Sequence, residues 1–297
     1  MNGILNIYKE AGYTSFDVVA KLRGILKIKK IGHTGTLDPD AVGVLPVCVG
    51  NATKLVELLT DHDKEYIAKL RLGVATDTQD MSGKILHEAD VTCTLEEVES
   101  AIESFVGGYA QIPPMYSALK VNGRKLYELA REGIEVERKA RDIVIEEIEI
   151  LSMELPIVTM RVVCSKGTYI RTLCHDIGEK LGCYGAMQHL TRSRVDCFRI
   201  EDALTLSEVE AYRDSGELLE HMISPESVFM HLEKLVVPDR FAKFLDNGNT
   251  IMNTMFETPH EFEDGTEVRM YVASGKFYGV FKYSEKEDKF KPVRLFF

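Results

Sequence analysis

Between Ile31 and Asn51 the chain carries Gly32, Gly35, Pro39, Gly43, Pro46 and Gly50, and no continuous helix runs through punctuation that dense. The segment must be loop, with one short buried strand at Val44–Val49, and its neighbours have to leave room for it. Residues 4–8 (ILNIY) read as a strand. Thr14-Ser15-Phe16-Asp17 reads as a helix start, with Val18, Val19, Leu22, Ile25 and Leu26 following at helical spacing. Ala52–Leu59 reads as a helix. Tyr66, Ala68, Leu70 and Leu72 then alternate with Ile67, Lys69 and Arg71, the period of a half-buried strand.

Thr94 and Glu97 form a capping box ahead of Leu95, Val98, Ala101, Ile102 and Phe105, with Gly107 closing that helix. Residues 113–141 are polar, basic and aromatic between strand patterns, an excursion from the core. Strands are expected at about 143–151 and 157–164, then an amphipathic helix through Ile170, Leu173, Cys174, Ile177 and Leu181. Helical segments lie near 207–222. Beyond Leu235 the pattern turns to short strands at Thr250–Met252, Val268–Val272, Lys276–Tyr283 and Val293–Phe296. Runs of strands after a mixed region predict two domains, 1–234 and a small β-rich 235–297.

Six cysteines form no CxxC pair, and the eight histidines suggest no metal set. No stretch reaches the ~18 apolar residues of a membrane span, and Met1–Gly12 lacks a signal-peptide layout. These features predict a soluble cytoplasmic protein without metal. Its net charge is −11, yet residues 161–199 hold seven basic and three acidic side chains. A polyanionic partner is therefore compatible with the local field.

Three positions invite chemistry. Gly32-His33-Thr34-Gly35-Thr36-Leu37-Asp38-Pro39 has glycines for close backbone approach, and its proline extends Asp38 so that the carboxylate can project. An Asx-turn would use the same residues. Arg171, one past Ile170, leaves the apolar stripe at a helix start, where a cation opposes the helix dipole. A partner anion would justify it, and a solvated arginine is the alternative. Tyr66 faces the apolar side of its strand, as a core aromatic would. Serine-hydrolase, phosphate-loop, dinucleotide and HExxH signatures do not occur.

At these residues the chain resembles the TruB-type tRNA pseudouridine synthases. GHTGTLDP with GVLPVCVGNATK (32–54) is similar to that family's catalytic motif. Lys64-Glu65-Tyr66, LRLG and Thr76-Asp77-Thr78 resemble the segment carrying its stacking tyrosine. PPMYSALK (113–120) resembles its RNA-gripping insertion, CSKGTYIRTL (164–173) its arginine motif, and the tail its small RNA-binding PUA domain. Near the N-terminus Glu10 stands where the family has proline, and Ala41-Val42-Gly43 where it has Ala-Thr-Gly.

The resemblance implies an α+β pseudouridine synthase fold, a mixed and largely antiparallel sheet flanked by helices, with the insertion at about 113–141. It implies isomerisation of uridine 55 in the tRNA T-loop by a monomer that needs no cofactor. Asp38 would be the catalytic carboxylate, with Tyr66 and Arg171 beside it. His33, Tyr169, Leu190, Lys9, Tyr116, Lys120, Arg124, Lys125 and Arg192 would contact the RNA of the T-arm. An RNA chaperone that folds tRNA and a guide-RNA-directed subunit are the alternatives.

Overall fold

A computed structural model describes residues 1–60 and 62–296. The chain runs through β1 (Gly3–Lys9), α1 (Ser15–Leu26), β2 (Ile31–His33), β3 (Val42–Val49), α2 (Val56–Thr60) and β4 (Lys64–Leu72). The hairpin β5 (Val74–Thr76) and β6 (Ile85–Glu88), α3 (Leu95–Glu103) and β7 (Gly107–Gln111) follow. The excursion holds β8 (Lys120–Val121), β9 (Arg124–Lys125) and α4 (Leu126–Arg131). Next come β10 (Arg141–Glu154), β11 (Ile157–Cys164), α5 (Ile170–Leu181), β12 (Gly185–Val195), β13 (Phe198–Arg199) and α6 (Leu206–Ser215). The last part holds β14 (Glu233–Val237), α7 (Ala242–Asp246), β15 (Ile251–Met252), β16 (Glu267–Val272), β17 (Phe277–Ser284) and β18 (Lys289–Leu295).

The larger sheet has the order β1-β3-β12-β4-β11-β10-β7, with β2 paired to β3 and β13 to β12. Its pairings are antiparallel except for β12 with β3 at Thr191 and Arg192. The smaller sheet runs β14-β16-β17-β18-β15. The two share a core in which Ile4, Val44 and Cys48 meet Phe229, Val280 and Phe296. Among the described residues no helix is long and apolar enough to cross a membrane.

Local chemistry accounts for most elements. Thr14 and Asp17 close a reciprocal capping box on α1, and Thr94 with Glu97 does so on α3. On β4 Tyr66, Ala68, Leu70 and Leu72 are buried, alternating with partly or fully exposed residues. Pro46 sits inside β3, yet falls between the stretch paired to β12 and the stretch paired to β2. A missing amide hydrogen is easily spared there.

Several boundaries differ from expectation. The α3 helix stops at Glu103 through tight turns from Phe105 and Val106, and Gly107 instead opens β7 with φ +101°. Residues 50–55 form a 3-10 turn before α2, because the Thr53 hydroxyl donates to the Gly50 carbonyl at 2.8 Å. Ile31–His33, expected as loop, adds a short strand to β3, which itself begins at Val42.

The helix that matters most for the site is α5. Leu173, Cys174 and Ile177 are fully buried against β12 and β4, each large apolar side chain contributing about 1.5–3 kcal/mol. Gly178 lets the helix backbone touch the start of β12, since a Cβ there would lie 2.1 Å from the Gly185 nitrogen. Gly178→Ala should therefore displace α5 and cost about 2–4 kcal/mol in urea unfolding. A change within 0.5 kcal/mol would show that the contact yields.

Candidate active site

The β2–β3 connection carries Asp38, and α5 begins beside it. Arg171, one residue into α5, is only 6% exposed, so it is no solvated surface arginine. Its Nε lies 3.0 Å from Asp38 Oδ2 and its Nη2 lies 3.4 Å from Oδ1, a two-pronged pairing. Nη1 reaches Asp80 Oδ2 at 3.4 Å and donates to the Thr78 carbonyl at 3.1 Å. Nη2 also donates to the Tyr116 carbonyl at 2.9 Å. Three distant segments thus converge on one guanidinium, and two of them supply the anionic partners that a cation at a helix N-terminus needs.

Asp38 is pulled in two directions. Desolvation pushes its carboxyl above the usual range; Arg171 opposes this, while Asp80 reinforces it. The side chain nevertheless stays 39% exposed toward solvent, so it can meet a ligand. Tyr66 is buried nearby on β4 and burial raises its phenol pKa, so it remains protonated at neutral pH. Leu190 on β12 is also buried.

Asp80 was not among the residues that sequence reasoning selected. Its carboxylate caps a tight turn, accepting from the Thr78 hydroxyl at 2.7 Å, the Ser82 amide at 3.0 Å and the Ser82 hydroxyl at 2.6 Å. The available signal was the Asx-type sequence Thr78-Gln79-Asp80-Met81-Ser82, directly after the Thr76-Asp77-Thr78 motif.

Two expected RNA contacts lie inside the protein instead. Arg192 is 1% exposed. Its Nε donates to the Val44 carbonyl at 2.7 Å, Nη2 to Gly35 at 3.2 Å and Nη1 to Thr36 at 3.5 Å. Tyr66 is its neighbour across the β12–β4 ladder. Lys9 is fully buried, and its ammonium donates to the carbonyls of Pro39 at 2.9 Å and Glu10 at 3.1 Å. Burial lowers its pKa to about 8, against the pull of Asp38. Both cations brace the Asp38 loop from below. Sequence alone does not distinguish this from a groove-facing charge, because both need the same side chain.

The remaining candidates spread out. His33 is half-buried and accepts from the Gly35 amide at 3.3 Å through Nδ1; burial and Arg192 lower its pKa and keep it neutral. Gln111 pins the Tyr169 backbone through both its N–H and its C=O, at 2.8 and 3.0 Å. Tyr116 is half-buried and touches the site through its carbonyl. Lys120 and Arg124 are exposed on the β8–β9 hairpin with Lys125 half-buried beside them, and Arg124 is paired to Glu132. Among the described residues no three His, Cys, Asp or Glu side chains converge as metal ligands would.

Replacing Arg192 by methionine should leave the Gly35, Thr36 and Val44 carbonyls short of a buried donor. We expect a loss of about 2–4 kcal/mol in urea unfolding. Arg124→Ala, on the surface, should leave the midpoint where it is. Equal effects of the two would contradict the bracing role.

The model of the TruB family pseudouridylate synthase N-terminal domain matches residues 23–170, and that of the tRNA pseudouridylate synthase B C-terminal domain matches residues 171–230. A tRNA pseudouridine synthase B of Lachnoclostridium phytofermentans is 51% identical over 306 residues, spanning 100% of both chains. One of Alkaliphilus oremlandii is 46% identical over 300 residues, covering 100% of this chain and 99% of the relative. Among solved structures, an H/ACA RNP bound to a substrate RNA containing 2′-deoxyuridine matches with TM-score 0.71 and 25% identity, over 99% of this chain and 85% of that one. A Cbf5-Nop10-Gar1 complex matches with TM-score 0.72 and 26% identity, over 99% and 85%.

Proposed function

The chain belongs to the TruB family of pseudouridylate synthases, and from that premise we propose that it converts the T-loop uridine at position 55 of tRNA to pseudouridine, with Asp38 as the reacting carboxylate. The observation that carries the assignment is the pairing of Asp38 with Arg171 at 3.0 Å, beside the buried Tyr66.

The reaction breaks the C1′–N1 bond, turns the base, joins C1′ to C5, and exchanges the C5 hydrogen for one on N1. Atoms and electrons balance without an external reagent. Attack at C6, attack at C1′ and proton removal toward a glycal all require an ionised carboxylate. Desolvation under a base works against ionisation, and the two-pronged contact from Arg171 works for it.

The target uridine must leave its loop, at a cost of a few kcal/mol. Stacking on Tyr66 returns roughly 1–3 kcal/mol, with Leu190 covering the base and His33 bracing the vacated loop. Arg192 pairs with Tyr66 across the β12–β4 ladder and holds the backbone of the Asp38 loop, so stacking partner and carboxylate keep a common frame. End-to-end identity near 50% with bacterial tRNA pseudouridine synthase B proteins supports a stand-alone enzyme over a guide-RNA-directed subunit.

Purified protein should form pseudouridine at position 55 of an unmodified tRNA transcript without added protein or guide RNA. Asp38→Asn should yield no product while binding tRNA within a few-fold of wild type; product from that variant would remove Asp38 from the role. A chaperone would refold tRNA equally well with either side chain.

The saturated single-turnover rate should fall as pH drops, because protonation removes the reacting anion. Its midpoint should lie above the ordinary aspartate value of about 3.9, the direction in which desolvation moves Asp38. Arg171→Lys should cost about a hundredfold through lost alignment. Arg171→Ala should move the midpoint further up. An unshifted midpoint and a normal saturated rate would show that Arg171 only holds a phosphate.

A further inference from the structure

Lys9 and Arg192 are buried, and Arg124 is neutralised by Glu132. Of the expected cationic contacts that leaves Lys120 and the half-buried Lys125, so a protein of net charge −11 that binds tRNA needs further cations for the phosphates. Residues 21–30 contain Lys21, Arg23, Lys27, Lys29 and Lys30 and no carboxylate. Part of this run faces the 3-10 turn at Gly50–Leu55 across an open groove lined by Arg23, Lys29, Lys30, Lys54 and Glu57. The backbone at Ile31 and Gly32 also lines it, immediately before His33.

Cations near the end of α1 would suit the helix dipole, but that accounts for Arg23 alone. Lys29 and Lys30 lie beyond the helix, and Lys54 comes from a different element. Among the described residues none of the four makes an ion pair with a carboxylate, unlike Arg161, which is held by Glu65, Glu147 and Glu149. The groove cations are positioned by neutral oxygens instead. Arg23 donates to the Ile31 carbonyl at 3.2 Å, Lys30 to Asn51 Oδ1 at 3.3 Å, and Lys54 to the Leu295 carbonyl at 2.7 Å. The buried Nε of Arg23 has no partner. Four positive charges drawn from α1, the connection after it and the 3-10 turn, none of them ion-paired among the described residues, make an anion site.

We propose that this groove binds the phosphodiester backbone of the substrate RNA, an inference that rests on reading the chain as a tRNA-modifying enzyme. It places the main electrostatic contact on the His33 side of the catalytic loop rather than on the β8–β9 hairpin. Glu57, on the groove wall, opposes the phosphates and tempers the affinity.

The test is tRNA binding measured against salt. The triple variant Lys29→Gln, Lys30→Gln, Lys54→Gln should raise the Kd for an unmodified tRNA transcript at least tenfold at low salt. It should flatten the slope of log Kd against log salt by about 2, given roughly 0.7–0.9 per phosphate contact. The saturated single-turnover rate should be unchanged. Glu57→Gln should tighten binding twofold or more. A charge-matched control, Lys69→Gln, Lys180→Gln, Lys243→Gln, should change the Kd less than threefold. Equal weakening by both triples would reduce the effect to net charge and overturn the site, as would an unaltered slope in the groove variant. Wild-type protein that binds tRNA with this salt dependence yet forms no pseudouridine would refute the functional reading and leave the groove intact.

Discussion

The site depends on placing one aspartate against a buried arginine. An isolated buried charge costs several kcal/mol, and a pair recovers that only with good geometry and satisfied remaining donors. Arg171 meets both conditions. It gives Asp38 two contacts, Asp80 one, and the carbonyls of Thr78 and Tyr116 one each. Those groups come from the β2–β3 loop, the turn before β6 and the excursion after β7, so the surroundings of Arg171 at the start of α5 are assembled from segments far apart in sequence.

Beneath the pair lie two cations with no carboxylate partner among the described residues. Lys9 and Arg192 are solvated almost entirely by main-chain carbonyls of the loop they support. For stability alone such an arrangement is poor, since apolar side chains of similar volume would cost less to bury. Its benefit is rigidity. A loop with several glycines has many conformations, and clamping its carbonyls selects one in which Asp38 faces Arg171 before any substrate arrives.

Charge is distributed in the same divided way. Lys9 and Arg192 near Asp38 are turned inward and serve the structure, while Arg23, Lys29, Lys30 and Lys54, without carboxylate partners among the described residues, lie beyond His33 on the outer rim. The C-terminal sheet joins this rim directly: Lys54 donates to the Leu295 carbonyl, and Arg294 donates back to the Lys54 carbonyl at 2.9 Å. An acidic chain can then present a local basic face, because screening over about 8–10 Å isolates it from distant carboxylates.

Much of this architecture is readable from residue order. Capping boxes at Thr14 and Thr94, the alternation along Tyr66–Leu72 and the stripe from Ile170 to Leu181 each depend on neighbours a few positions away, so the sequence contains the whole interaction. Asp38, Tyr66 and Arg171 stand out only through the family motifs around them, because from local spacing each also fits a structural role, as an Asx-turn, a core aromatic and a solvated arginine. What the sequence could not reveal was direction. Arg192 and Lys9 read as cations for RNA, and only the pairing of β12 with both β3 and β4 and the return of Pro39 over β1 turned them inward. Asp80 became a partner of Arg171 only when the turn before β6 packed against α5. Whether a charged side chain meets solvent, a carbonyl or an opposite charge is fixed by segments scores of residues away, and that decision belongs to the tertiary structure.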